Sequence, residues 1–275
     1  MNDNNTYTLN TGATIPAVGF GCWQVTPDSA ARTAVEAAID AGYRHFDTAK
    51  IYGNETGVGA GLTAGGMARE DVFVTTKLWN DDQAYDTALG AIDESLAKLS
   101  LDYVDLYLIH WPESGTRLDA WRAMQDIYAS GKAKAVGVSN YTVRHLEELL
   151  AGSELVPAVN QVEFHPYIYE QQKQLLDYCA DKNIIIEAYS PLARHSRDVD
   201  ERIAAIAEQV GRTPSQVILR WCLQHGTVPL PRSTNPDHIR ENFEIFDFFL
   251  DDEAMNTLNS MSDGQRVTSD PEEYA

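Results

Sequence analysis

The stretch Val104-Asp105-Leu106-Tyr107-Leu108-Ile109 is a short, largely apolar run, and His110-Trp111-Pro112 follows it directly. An amphipathic segment precedes the run at Ala84–Leu99, and a second follows it at Leu118–Ser130 and ends at Gly131. A short run that is apolar on both faces is typical of a strand in a buried parallel sheet. The stretch therefore predicts a strand between two helices, with a histidine where the strand ends.

The same alternation of strand and helix recurs along the whole chain. Eight strands are predicted, at Ala17–Gly21, His45–Thr48, Val72–Thr76, Val104–Ile109, Ala135–Val138, Ala158–Val162, Ile184–Ala188 and Val228–Leu230. Helices are predicted at Asp28–Ala41, Thr56–Leu62, Ala84–Leu99, Leu118–Ser130, Val143–Leu150, Glu170–Lys182, Val199–Val210, Ser215–Gln224 and Pro236–Asn242. Eight such units in about 250 residues indicate the α/β class and a (β/α)8 TIM barrel, with residues 1–275 as one domain.

Two segments lie outside the repeats. Tyr7–Leu9 and the residues up to Ile15 predict an N-terminal β-hairpin. A further helix is predicted at Asp252–Met261, followed by an acidic tail over the active-site face. The rival fold is a doubly wound sheet with a G-x-G-x-x-G fingerprint, but the run from Gly19 to Gln24 lacks the third glycine.

The composition restricts the classes of partner. The chain carries 41 acidic and 21 basic residues, a net charge of −20, so we expect neither nucleic-acid binding nor membrane binding. No apolar run is long enough to cross a membrane, and Met1-Asn2-Asp3-Asn4-Asn5 does not resemble a signal peptide, which predicts a cytoplasmic protein. The charge repels itself unless salt screens it, which favours a halophilic source over an ordinary acidic enzyme.

The cysteines and histidines give no sign of a metal centre. Cys22, Cys179 and Cys222 are odd in number and far apart, so they predict neither a disulfide framework nor a zinc site. The histidines lack the spacing of a zinc-binding motif. We therefore expect no metal.

Functional residues of a barrel lie at the carboxyl ends of its strands. Polar residues at the predicted ends are Asp47, Lys77, His110, Ser139, Asn140, Gln161, Tyr189, Ser190, Arg232 and Ser233. Each of them alone is more typical of a turn, a helix cap or the core than of a site. A buried lysine, however, needs a partner, and Asp47 on the neighbouring strand is the candidate for Lys77. With Tyr52 five residues after Asp47 and His110 nearby, the group predicts a proton donor for a carbonyl oxygen.

Longer motifs carry a resemblance to a known family. They are the segments 42–49 (GYRHFDTA), 52–55 (YGNE), 74–79 (VTTKLW), 101–112 (LDYVDLYLIHWP), 136–141 (VGVSNY), 160–163 (NQVE) and 188–192 (AYSPL). Over essentially its whole length the chain resembles the aldo-keto reductases, and among them small prokaryotic members similar to diketogluconate reductases.

The resemblance implies a nicotinamide-dependent reductase of aldehydes, ketones or sugars. The catalytic tetrad of the family falls on Asp47, Tyr52, Lys77 and His110. Tyr52 would protonate the carbonyl oxygen, and Lys77, paired with Asp47, would lower the pKa of its phenol. His110 would orient the carbonyl.

The resemblance also implies a cofactor site. Ser139, Asn140 and Gln161 would hold the nicotinamide amide and Tyr189 would stack on its ring, while Ser190 and Leu192 belong to a loop that crosses the pyrophosphate. At the adenosine end, Arg232 replaces the lysine of the NADP-dependent members and His238 replaces an arginine; Ser233, Glu241 and Asn242 match the pattern. Because a histidine is largely neutral at pH 7, we expect NADP(H) to be preferred and NAD(H) to be accepted better than is usual.

The mouth of the site is predicted from three tryptophans. Trp23, Trp79 and Trp111 follow strands of the site, where they form either an apolar rim for substrate or packing for the loops. Short loops imply an open pocket for small carbonyls, dicarbonyls and keto-sugars, and the family implies a monomer. Two alternatives remain open, a sugar or polyol dehydrogenase working in the oxidative direction and an NADP-binding sensor subunit without turnover.

Overall fold

Parallel strands form a barrel in the computed structural model, which describes residues 1, 5–195 and 200–274. The barrel strands are β3 (Phe20–Gly21), β4 (His45–Asp47), β5 (Phe73–Leu78), β6 (Leu106–Ile109), β7 (Val136–Ser139), β8 (Val159–Glu163), β9 (Ile185–Tyr189) and β10 (Val228–Leu230). They pair in parallel in the order of the chain. The prediction of a (β/α)8 TIM barrel is therefore confirmed.

Helices surround the barrel. They are α1 (Asp28–Ala41), α2 (Glu55–Ala64), α3 (Tyr85–Leu99), α4 (Arg117–Ser130), α5 (Val143–Ala151), α6 (Tyr169–Asp181), α7 (Glu201–Val210), α8 (Pro214–Gln224), α9 (Pro236–Phe243) and α10 (Asp252–Asn259). Helix α7 was predicted from Val199, which lies outside the described residues. No helix in the described ranges is long and apolar enough to cross a membrane.

Two glycines close the barrel between its first and last strands. The amides of Gly19 and Gly21 donate to the carbonyls of Pro229 and Pro231, each at 3.0 Å. A Cβ at Gly19 would lie 2.5 Å from the Leu230 side chain and 2.6 Å from the His45 ring, so a larger residue there would have to displace these two side chains. Strand β3 is shorter than predicted because Gly19 pairs at this closure and not with β4.

The predicted hairpin and tail are also present. Strands β1 (Thr6–Thr8) and β2 (Thr14–Pro16) pair antiparallel. The tail crosses the carboxyl ends of the strands, where the Glu163 carboxylate accepts from the amides of Val267 and Thr268 at 2.7 and 3.1 Å. Further along the tail, the Tyr274 ring stacks on Trp111 with centroids 5.0 Å apart. The tail thus forms part of the face that carries the candidate site.

Candidate active site

A cavity of about 390 Å³ opens at the carboxyl ends of the strands. The predicted site residues that line it are Trp23, Asp47, Tyr52, Trp79, His110, Trp111, Ser139, Asn140, Gln161, Tyr189, Ser190, Leu192 and Arg232. Lys77 lies directly beneath it and is fully buried. The residues that do not line it are Ser233, His238, Glu241 and Asn242, all of which follow Arg232 on the way into or within α9.

Lys77 uses all three of its ammonium hydrogens below the cavity floor. It donates to Asp47 Oδ1 at 2.7 Å, to the Thr48 carbonyl at 2.9 Å and to the Tyr52 hydroxyl oxygen at 3.3 Å. Because Lys77 is the donor in the last bond, the phenolic hydrogen of Tyr52 is left to point elsewhere. Tyr52 lines the cavity, so this hydrogen is available to an acceptor placed there.

Burial is the largest single influence on the pKa values of Tyr52 and Lys77. Burial raises the pKa of Tyr52 to about 12, although the Lys77 ammonium acts in the opposite direction. The Lys77 ammonium thus lowers the pKa of the phenol as expected, but desolvation outweighs this effect, so the net shift is upward. Burial opposes the charge on Lys77, but Asp47 and Tyr52 outweigh it and raise the pKa of the ammonium above its usual range.

His110 lies beside Tyr52 on the cavity wall. The two rings meet edge to face with centroids 5.7 Å apart, and Trp79 also packs edge to face against the imidazole at 5.3 Å. Burial and, secondarily, the Lys77 ammonium hold the pKa of His110 well below its usual range. The imidazole is therefore neutral at physiological pH and offers one N–H to the site.

Asn54, which the sequence analysis did not single out, fixes the loop that carries Tyr52. This loop contains a single 3-10 turn, Lys50–Tyr52. The buried amide of Asn54 donates to the carbonyls of Cys22 and Val25 at 2.8 and 3.0 Å, and it accepts from the Thr48 hydroxyl at 2.7 Å. Two of these bonds join the loop to the segment after β3, and the third joins it to Thr48 at the end of β4.

We expect Asn54→Ala to lower the free energy of unfolding by about 2 kcal/mol, because it removes three buried hydrogen bonds and takes the Asn54 donor away from the Val25 carbonyl. Chemical denaturation measures the change. The matched control is Asn256→Ala, at an exposed position of α10, which is expected to change the stability little. Equal effects of the two substitutions would contradict the role assigned to Asn54.

A second polar cluster connects the ends of β6 to β9. Asn140 has φ of +65°, a conformation that asparagine tolerates. Its amide donates to the His110 carbonyl at 2.9 Å and to the Ser139 hydroxyl at 3.1 Å. The Tyr189 hydroxyl donates to Asn140 Oδ1 at 2.8 Å and also contacts the Thr268 hydroxyl at 3.0 Å. The cluster cross-links one wall of the cavity and joins it to the tail through Thr268.

Gln161 crosses the interior between two carboxylates. Its side-chain nitrogen donates to Asp47 Oδ2 at 2.8 Å and to Glu187 Oε2 at 2.7 Å. Both amide hydrogens are therefore used, and the side-chain oxygen is the polar atom left for a ligand in the cavity.

The far end of the cavity is cationic. The Arg232 guanidinium is exposed and donates to the Gln24 side-chain oxygen at 3.1 Å. Arg194 also lines the cavity, and its guanidinium lies 4.2 Å from the centre of the Trp23 ring. His238 is exposed, whereas Glu241 accepts from the Thr213 hydroxyl at 2.7 Å and so also serves to attach α9 to α8.

Some cavity residues were not anticipated from the sequence. Gln24, Ile51, Arg194 and Thr268 line the cavity. Arg194 and Gln24 carry a weak signal, since each lies within two residues of a predicted site residue. Thr268 comes from the irregular tail and gives no periodic or motif signal.

Comparisons with known proteins agree with this geometry. The model of the aldo/keto reductase family matches residues 17–263. A glyoxal reductase of Bacillus subtilis (strain 168) is 47% identical over 269 residues, which are 98% of this chain and 97% of the relative. A morphine 6-dehydrogenase of Pseudomonas putida is 43% identical over 278 residues, covering 96% and 93%.

A solved structure points to the same family. The aldo-keto reductase of Bombyx mori in complex with NADP superposes with a TM-score of 0.91 at 36% identity, covering 96% of this chain and 94% of that chain. The family model, the relatives and the solved structure thus each cover most of the chain. The chain belongs to the aldo/keto reductase family.

Proposed function

We propose that the protein reduces aldehydes and ketones to alcohols with NADPH, and with NADH less well, with Tyr52 as the proton donor. The observation that carries the proposal is the bond from Lys77 to the Tyr52 oxygen at the floor of the cavity. It turns the phenolic hydrogen away from the lysine, toward the space where a carbonyl would lie. The glyoxal reductase among the relatives supports the same class of substrate.

The reaction places a hydride on the carbonyl carbon and a proton on its oxygen. The reduced nicotinamide supplies the hydride when it is bound. Tyr52 holds the proton because its pKa of about 12 keeps the phenol protonated across the neutral range. Lys77 stabilises the phenolate that forms after transfer, since its ammonium remains charged and in contact with the same oxygen.

His110 orients the substrate in this proposal. A neutral imidazole donates one hydrogen bond to the carbonyl oxygen without adding a second positive charge to that of Lys77. Its Nδ1 is buried and has no hydrogen-bond partner among the described residues. The other nitrogen is the one available to the cavity.

The described residues fit a nicotinamide. The free side-chain oxygen of Gln161 matches the NH2 of the cofactor's carboxamide, and Ser139 and Asn140 lie on the adjacent strand end. Tyr189 offers a ring at the wall. Arg232 would bind the adenosine phosphate, with Ser233, His238, Glu241 and Asn242 beyond it.

The residues at the mouth of the cavity support the proposal that the substrates are small and varied carbonyl compounds. Trp79 packs on His110, and Trp111 packs on Tyr274, so both indoles have packing roles as well as a surface in the cavity. Trp23 lies under Arg194. We propose that the three rings form an apolar rim around a polar centre.

The test is oxidation of NADPH and of NADH by the purified protein with phenylglyoxal, a reactive dicarbonyl. Turnover with NADPH that exceeds turnover with NADH supports the proposal. Nucleotide binding without turnover on any of a panel of aldehydes, ketones and dicarbonyls would favour a binding subunit.

A second candidate is the oxidative direction on a sugar, polyol or other alcohol. The morphine 6-dehydrogenase among the relatives favours it, since that protein is named as a dehydrogenase. Reduction of NADP+ with a panel of polyols at alkaline pH would reveal this activity. Higher kcat/KM values for alcohols than for carbonyls would make it the main function.

Arg232 is expected to determine the preference for NADPH over NADH. We expect Arg232→Gln to raise the Kd for NADPH about tenfold and to leave the Kd for NADH nearly unchanged, because only NADPH has the additional phosphate. Nucleotide fluorescence titration measures both constants. The control is Arg240→Gln, whose guanidinium pairs with Asp237 at 3.2 Å. An equal loss for both nucleotides would place the contact of Arg232 elsewhere on the cofactor.

A further inference from the structure

Glu187 is a fully buried acid that the proposed reaction does not use. It lies on β9 at the position paired with Gln161 of β8. Its Oε2 accepts from Gln161 at 2.7 Å, and Gln161 in turn donates to Asp47, which accepts from Lys77. A continuous chain of hydrogen bonds therefore runs from Glu187 across the barrel to the tetrad.

The groups around Glu187 include no cation in contact with it among the described residues. From β4, Asp47 and His45 face it, and from β5, Lys77 does. His45 Nε2 is 3.5 Å from Glu187 Oε1, but burial and the Lys77 ammonium lower the pKa of His45 to about 3, so this imidazole is neutral. The ammonium of Lys77 bonds to Asp47 and to the Thr48 carbonyl, not to Glu187.

The charge balance follows from these contacts. Lys77 and Asp47 cancel, so an ionised Glu187 would leave one uncompensated negative charge inside the barrel, which is strongly unfavourable. Burial, followed by the Asp47 carboxylate, accordingly raises the pKa of Glu187 well above the usual carboxyl range. Because Oε2 accepts from Gln161, the proton belongs on Oε1, the oxygen nearest His45.

We propose that Glu187 is a neutral carboxylic acid in the free protein, that it positions Gln161 for the cofactor, and that its ionisation strengthens binding of the oxidised nicotinamide over the reduced one. The cofactor part rests on the proposed function. The positioning follows from geometry: with both amide hydrogens of Gln161 held by Asp47 and Glu187, the side-chain oxygen is fixed toward the cavity.

The preference for oxidised cofactor follows from charge. An oxidised nicotinamide ring is positive and a reduced ring is neutral, so a negative charge behind Gln161 favours only the oxidised form. By reciprocity, binding of NADP+ favours loss of the proton from Glu187, and binding of NADPH does not. Affinity for NADP+ relative to NADPH should therefore rise with pH.

The binding test compares Kd values for NADP+ and NADPH at about pH 6 and about pH 9 in the protein and in Glu187→Gln. In the unmodified protein we expect the ratio of Kd(NADPH) to Kd(NADP+) to rise by at least about fivefold between the two pH values. In Glu187→Gln, which keeps an acceptor for Gln161 but cannot ionise, the ratio should not change. Titration of the 2′-phosphate affects both nucleotides and cancels in the ratio. The control is Glu36→Gln, on the exposed face of α1, which should behave as the unmodified protein.

An infrared measurement on the free protein tests the protonation of Glu187, and the same measurement on Glu187→Gln assigns the band to this carboxyl. A protonated carboxyl absorbs apart from carboxylates, so its band should be present at neutral pH and should disappear as the pH rises. Adding NADP+ at a pH near the midpoint of this titration should weaken the band, and adding NADPH should leave it unchanged.

The outcomes separate the two proposals. Absence of the band, or a Kd ratio that changes equally in the protein and in Glu187→Gln, would overturn the inference about Glu187. If the protein bound neither nucleotide, the proposed function would fail, and the infrared titration of the free protein would still decide whether Glu187 is neutral.

Discussion

Tyr52→Phe should lower kcat for carbonyl reduction about 1,000-fold, because it removes the proton donor and leaves the rest of the site in place. The substitution deletes one oxygen, whose bond in the structure is to Lys77. Lys77 keeps Asp47 and the Thr48 carbonyl as acceptors, so the fold should tolerate the change. Steady-state oxidation of NADPH with phenylglyoxal measures the loss, and fluorescence titration should show an unchanged Kd for NADPH.

The matched control is Tyr43→Phe. This substitution also removes a buried phenolic oxygen, but one without a hydrogen-bond partner among the described residues and outside the cavity lining. It should leave kcat unchanged. A Tyr52→Phe protein with more than about a tenth of the original kcat would show that another group delivers the proton.

Lys77→Met should both lower the free energy of unfolding and abolish carbonyl reduction. The substitution leaves the carboxylate of Asp47, which is only 4% exposed, without its cation. Removing one partner of a buried ion pair costs about 3–5 kcal/mol of the free energy of unfolding. The phenolate of Tyr52 also loses its stabilising charge, so kcat should fall even under conditions where the variant is folded. Chemical denaturation and steady-state kinetics measure the two losses.

The double variant Asp47→Asn/Lys77→Met separates stability from chemistry. Removing both charges leaves no unpaired ion in the interior, so most of the stability should return. The activity should not return, because the ammonium beside Tyr52 is still missing. A double variant as unstable as Lys77→Met would mean that the cost arises from packing around the lysine stem and not from the unpaired carboxylate.

The fold was predictable because the sequence patterns that indicate its strands and helices are local. The run Val104–Ile109 was predicted as a strand, and Leu106–Ile109 forms it, since four apolar residues bounded by polar ones fit only a buried position. Helix α1 matches its prediction at both ends, where Pro27 precedes it and Gly42 follows with φ of +109°. The short β3 differs because the partner of Gly19 lies near the other end of the chain, and no local pattern reports such pairing.

The site was predictable only in part. The tetrad residues follow strands or motifs, so the sequence could indicate them, and the structure brings them together. The contacts of Asn54, Thr268 and Glu187 join elements far apart in sequence and leave no periodic trace. The direction of the pKa shift of Tyr52 also depends on how deeply the phenol is buried, which spacing along a chain does not reveal.

The closure of the barrel at Gly19 and Gly21 has a consequence for how the protein folds. The cavity straddles this seam, with Gly21 and Gln24 on one side and Leu230 and Arg232 on the other, and the hydrogen bond from Arg232 to Gln24 joins positions 208 residues apart. A partly folded chain in which the first and last strands are still apart therefore has no complete cavity. Contacts between residues so far apart in sequence slow folding. A ligand that binds only the closed barrel stabilises the entire domain, by about 2.7 kcal/mol at a concentration one hundred times its Kd. A bound nucleotide would thus hold the first and last strands together and would stabilise the whole barrel, not only the site.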